Sequence, residues 1–183
     1  MWLSLVMLPS SSAWTAAHES LFFSSHELKE SHPEIHRVVT SWEKSGTRMT
    51  LPIGKGEVLK GFVLEYGNSG FIDYHLTVGV EAKNGIRAFM NNEEVLPSSE
   101  QKQKLSKIFE RIGRYKRTGG GRKNINPFVV DGNVYLLTLM DQGKVVKIPF
   151  YSPDLDDKKP SAEVSLLSDI LDFDVAIRAK TKK

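Results

Sequence analysis

Cysteine is absent from all 183 residues. That excludes disulfides, zinc–thiolate centres, iron–sulfur clusters and thiol nucleophiles together, so the core must hold itself by packing. Long apolar runs are also missing. The apolar block Trp2 to Leu8 falls far short of the ~20 residues needed to span a bilayer, and no later segment comes close. Charge is nearly balanced at +3, so the whole-molecule field neither demands nor excludes an anionic partner, and the distribution of charge matters more than its sum. No Asn-x-Ser/Thr acceptor for glycosylation occurs.

Residues 1–17 carry no charged side chain and run from the apolar block into a Ser-rich stretch ending Thr15-Ala16-Ala17. This has the layout of a secretory signal with its small-residue cleavage site just before His18, although no Lys or Arg precedes the apolar block. The expectation is export, to a periplasm or the extracellular space. The whole chain, 40% hydrophobic and 26% charged, has ordinary globular content, and 18–183 is read as one domain.

Within that domain, 18–46 reads as an N-terminal arm and helix. Leu21, Phe22 and Phe23 form an apolar trio expected to dock on the body. Ser31 with Glu34 matches a capping box, Pro33 suits a first helical turn, Ile35, Val38, Val39 and Trp42 recur at helical spacing, and Gly46 is a stop. Over 51–113 the period changes to two. Val58, Phe62, Val63, Leu64 and Tyr66 lead into a Gly67-Asn68-Ser69-Gly70 turn, and Tyr74, Leu76, Val78 and Val80 share one face of the next strand. Asn84-Gly85 fits a type I′ turn, after which Ile86, Ala88 and Met90 return. Ser98 with Gln101 caps a helix whose buried stripe is Leu105, Ile108, Phe109 and Ile112, stopped at Gly113.

Over 125–177 the order returns: a turn at Asp131-Gly132, a strand Val134 to Met140, a tight turn at Asp141-Gln142-Gly143, a strand through Val145, Val146, Ile148 and Phe150, then a helix opened by Pro160-Ser161 with Val164, Leu167, Ile170 and Leu171 on one face. The predicted fold is therefore α+β: an antiparallel sheet of about five to seven strands built from two successive hairpin-plus-helix units, with helices packed on one face and the last two helices covering it.

Residues 61–173 resemble, in layout, the emfourin-like inhibitors of thermolysin-type metalloproteases. The resemblance lies in Ser69-Gly70-Phe71 after the early strand, the following hairpin and helix, Asp131 with Tyr135, Leu137 and Thr138, and the closing helix. Ser69-Gly70 stands where the family has paired glycines. The resemblance implies protease inhibition and no catalysis.

The residues themselves point to a surface. Lys102, Lys104, Lys107, Arg111, Arg114, Lys116, Arg117, Arg122 and Lys123 cluster with Glu110 as the one acid among them. Lys104, Lys107, Arg111 and Arg114 fall at helical spacing away from the buried stripe, so they form a solvated basic face continuing toward Gly119-Gly120-Gly121. Such a face suits a protein or other anionic partner, and it equally suits a helix that merely displays cations near its C-terminus. No helix-turn-helix, zinc-finger or RNP pattern accompanies it, which argues against sequence-specific nucleic-acid recognition. The glycine run follows a helix and precedes a strand, the reverse of a phosphate-binding loop, and reads as a connector.

Catalysis finds few handles. His18, His26, His32 and His36 lie near Glu30 and Glu34, but Pro33 breaks the i, i+4 pairing a metal site would use. His75 reads as exposed, no nucleophile elbow exists, and the carboxylates Asp154, Asp156 and Asp157, like Asp169, Asp172 and Asp174, read as solvated. The function expected is a non-enzymatic, exported binding domain without cofactor. The alternatives are an accessory subunit plugging a larger assembly with the Leu21-Phe22-Phe23 arm, and a metal-dependent hydrolase using the N-terminal histidines.

Overall fold

The two-residue alternation resolves into a six-stranded antiparallel sheet in the computed structural model, which describes residues 21–46, 48, 58–68, 74–116, 133–153, 155 and 159–181. The elements are α1 (Ser25–Leu28), α2 (Pro33–Ser45), β1 (Val58–Asn68), β2 (His75–Ala82), β3 (Gly85–Met90), β4 (Glu93–Val95), α3 (Ser99–Arg114), β5 (Asn133–Asp141), β6 (Lys144–Tyr151) and α4 (Ala162–Thr181). The strand order is β4-β3-β2-β1-β5-β6. The first strand made is thus central: β1 pairs β2 on one side and β5 on the other, with Tyr66 opposite both His75 and Tyr135.

Because β1 is covered on both faces, its side chains alternate between two cores. Val63 joins Tyr74, Leu76, Val78, Val80, Leu136 and Met140 against the arm and α2, where Ile35, Val38, Val39 and Trp42 lie buried. Phe62 and Leu64 point the other way, into Leu105, Ile108, Phe109, Leu167, Ile170 and Phe173 of α3 and α4. The last two helices therefore cover one face, as their stripes predict. The expectation of helices on one face does not extend to α2, which with the arm takes the opposite face; two apolar sheet faces require two covers. Gly79 makes the helical cover possible, since a Cβ there would stand 2.6 Å from Phe62 Cε1 and 2.8 Å from Leu105 Cδ2.

The arm is fastened by polar groups as well as by burial. Leu21, Phe22 and Phe23 are buried, Lys147 Nζ donates to the Phe22 carbonyl and to Glu27, and it sits 5.6 Å from the Phe23 ring centroid. Ser24 and Glu27 form a reciprocal capping box on α1 that sequence reading missed. The expected Ser31/Glu34 box on α2 does not form. His32 is the N-cap, without a side-chain cap bond, while Ser31 Oγ donates to the Glu27 carbonyl. Helix α3 does carry its Ser98/Gln101 box, and Gly113 lies within it rather than ending it.

Turn chemistry explains the remaining differences. Gly85 has φ 118 while Asn84 stays in the ordinary region, so that hairpin is not type I′. Two others are of that kind, with positive φ at Asn91 and Asn92 before β4, and at Gln142 and Gly143 between β5 and β6. Gly67 and Asn68 of the expected Gly67-Asn68-Ser69-Gly70 turn continue β1, while Ser69-Gly70, the expected turn at Asp131-Gly132, the Gly119–Gly121 connector and the signal-like segment 1–17 lie outside the described residues.

Candidate functional site

Helix α3 presents the basic face. Lys102, Lys104, Lys107, Arg114 and Lys116 are exposed, on the side away from Leu105, Ile108, Phe109 and Ile112. Among the described residues their acidic partners lie on the same helix and are exposed, Glu100 at 3.8 Å from Lys104 and Glu110 at 3.8 Å from Arg114, and exposed pairs of this kind are weak. Arg111 is placed differently. It is half-buried, ion-paired to Asp169 of α4, and its Nη2 donates to Ser165 Oγ at 3.1 Å, so it clamps two helices together. The predicted Arg117, Arg122 and Lys123 lie outside the described residues.

A second constellation, on the same face of the sheet, was missed. Asp174 of α4, read from sequence as solvated, is 1% exposed. It accepts from Tyr66 Oη at 2.7 Å, from Thr77 Oγ1 and from Arg178 Nε at 2.8 Å. Arg178 lies over the Tyr66 ring and its Nη1 stands 3.3 Å from His75 Nδ1; His75 is half-buried against Tyr66 rather than exposed. Burial and the bond to Asp174 push the Tyr66 phenol well above its ordinary pKa. Arg178 stands between the histidine and the carboxylate, and Asp174 is saturated by donors, so the cluster has the form of a structural lock on α4 and not of a dyad with a free base.

The opposite face holds a matching lock. Glu65, 1% exposed on β1, takes two guanidinium donors from Arg48 at 2.8 and 2.9 Å and the Tyr74 hydroxyl at 3.0 Å. Burial pushes the Glu65 carboxyl up, while Arg48 and Tyr74 pull it down. Arg48 also packs over Phe22, so this pair fastens the arm's side of the molecule. A signal for both locks exists in the sequence: Glu65 interrupts an apolar strand, and Asp174 and Arg178 are spaced i, i+4 on the last helix.

His18 lies outside the described residues, and His26, His32 and His36 form no metal-binding group with the carboxylates described. His36 Nδ1 lies 2.8 Å from the Ser25 carbonyl oxygen and His32 Nδ1 2.9 Å from Ser31 Oγ, and among the described residues no three His, Asp or Glu side chains are grouped to hold a metal ion. The apolar trio of the arm is occupied inside this chain's own core, which removes it as an exposed plug. No described helix is long and apolar enough to cross a membrane. No protein family, curated protein or solved structure matches the chain.

Proposed function

We propose that this chain is a non-catalytic, exported binding domain that meets an acidic protein partner through the solvent face of α3. The observation that carries the reading is the contrast between Arg111, held by Asp169 and Ser165, and its neighbours Lys104, Lys107, Arg114 and Lys116, which are exposed and, among the described residues, pair with no acid outside α3. A row of exposed cations on a rigid helix steers an acidic surface and sets the salt sensitivity of its association. The layout shared with emfourin-like inhibitors supplies one concrete candidate, a thermolysin-type protease, and the composition of 1–17 supports export.

The test compares the full chain with a Lys104→Glu, Lys107→Glu, Lys116→Glu variant. Both are passed over immobilised poly-glutamate, anionic vesicles and duplex DNA at rising salt, and both are assayed against thermolysin. Retention on poly-glutamate that falls steeply between low and moderate salt and disappears in the variant supports the reading. Equal retention of both chains, or retention on vesicles or DNA alone, removes it. Export is tested separately by the mature N-terminus, expected at His18.

A further inference from the structure

We propose that the outer edge of β6, unpaired among the described residues, is a second binding site, one that takes a short extended peptide segment alternating apolar and acidic residues as an added strand. The direction of the edge groups follows from one hydrogen bond and the register. Ser152 N–H donates to the Asn133 carbonyl at 2.8 Å, one step beyond the Val134–Tyr151 pair, so 133 and 152 form a doubly bonded pair. Alternation then turns the N–H and C=O of 144, 146, 148 and 150 toward β5 and those of 145, 147, 149 and 151 outward. The outward amides of Val145 and Lys147 have no partner among the described residues, and β6 is the last strand of the sheet. Pro149 sits at an outward position, where a missing N–H costs the sheet nothing and where it ends the stretch available for pairing.

Side chains select what can be added. On the arm side of this edge lies an open groove of about 500 Å³ whose apolar walls are Phe23, Leu28, Val145 and Pro149. Residues of an added strand opposite Val145 and Lys147 would place their side chains there, which favours apolar ones. Within the groove Lys147 is already neutralised by Glu27, at 3.0 Å. Residues opposite the even positions face the other side, beside Lys144, which is exposed and makes no ion pair among the described residues. The strand carries two lysines and no acid, and with Lys147 engaged by Glu27 it is Lys144 that meets an acidic segment with opposite charge, whereas a second copy pairing edge to edge brings no acid. This proposal does not rest on the α3 face.

The experiment uses the full chain, a labelled alternating valine–glutamate pentapeptide, and its valine–lysine counterpart. Affinity is read by fluorescence polarisation, amide protection by hydrogen exchange, and oligomeric state by sedimentation. In the free chain Val145 and Lys147 amides should exchange much faster than those of Val146 and Ile148, and the acidic peptide should protect both. Val145→Pro removes an outward donor without touching a β5 bond and should weaken binding at least about tenfold; Lys144→Glu should reverse the preference between peptides. Both effects should persist in the α3 triple variant. Equal binding of the two peptides, unchanged exchange of Val145 and Lys147, or a dimer that Val145→Pro converts to monomer would each overturn the proposal, the last by making this edge an interface between copies.

Discussion

Replacing Asp174 by alanine should destabilise the fold by about 3 kcal/mol. The carboxylate is 1% exposed and serves three donors, so its removal strands Thr77 Oγ1, on a fully buried residue, together with Tyr66 Oη and Arg178. Taking one partner from a buried charged pair costs roughly 3–5 kcal/mol. The low end applies because the Arg178 side chain is 22% exposed and can turn toward water. For a chain of this size each kcal/mol moves Tm by roughly 2–4 °C, which gives a fall of about 6–12 °C. Urea titration followed by circular dichroism, checked by calorimetry, measures both quantities. Asp172→Ala, on the exposed side of the same helix, is the control and should stay within about 0.5 kcal/mol. If Asp174→Ala behaves like Asp172→Ala, the cluster is not a lock and the argument against a catalytic carboxylate loses its footing.

Gly79→Ala should cost about 1–3 kcal/mol by overpacking against Phe62 and Leu105, while Gly143→Ala, with open space around its Cβ but φ 82, should cost about 1 kcal/mol through strain alone; chemical denaturation separates the two. Burial pushes the Glu27 carboxyl up, yet the Ser24 N–H and Lys147 outweigh it and hold the group below its ordinary value. That contribution is present above the unfolded pKa and is lost as pH falls through the lower folded one. Protection of the arm's amides, taken relative to their intrinsic exchange rates, should therefore fall below about pH 4.5, and less so in Glu27→Gln. Lys107→Glu should leave Tm unchanged and weaken poly-glutamate retention, whereas Arg111→Ala should lower stability by about 0.5 kcal/mol, the discount reflecting an ion pair that is more than a third exposed.

Much of the scaffold was legible because apolar spacing reports which face of an element is hidden. Tyr74, Leu76, Val78 and Val80 share a core as their alternation predicts, and the stripe of α3 lies against the sheet. What the pattern withheld were pairings of elements distant in sequence. Nothing local to Ile35 or Trp42 says which face of the sheet α2 will take, and nothing local to Asp174 announces Tyr66 and Thr77, about 100 residues earlier. Polar residues on an amphipathic element look solvated until the partner that buries them is known. Strand β4 escaped for a different reason: three residues carry too little alternation, and its clue lay in the turn, Asn91-Asn92, whose side chains tolerate positive φ. Lys104, Lys107, Arg114 and Lys116 are exposed as their helical spacing predicts, while the acid that engages Arg111 belongs to a helix that begins 48 residues after α3 ends and is not legible locally.

The central place of β1 bears on how the protein is made. Its second neighbour, β5, leaves the ribosome some seventy residues after it, so a nascent chain that has completed α3 would expose one bare hydrogen-bonding edge along β1 and an α3-side layer still lacking α4. Unlike β6, that edge has neither two lysines nor a proline to discourage unwanted neighbours. Synthesis is thus most hazardous in the interval before the second hairpin arrives, and a holding chaperone would act there.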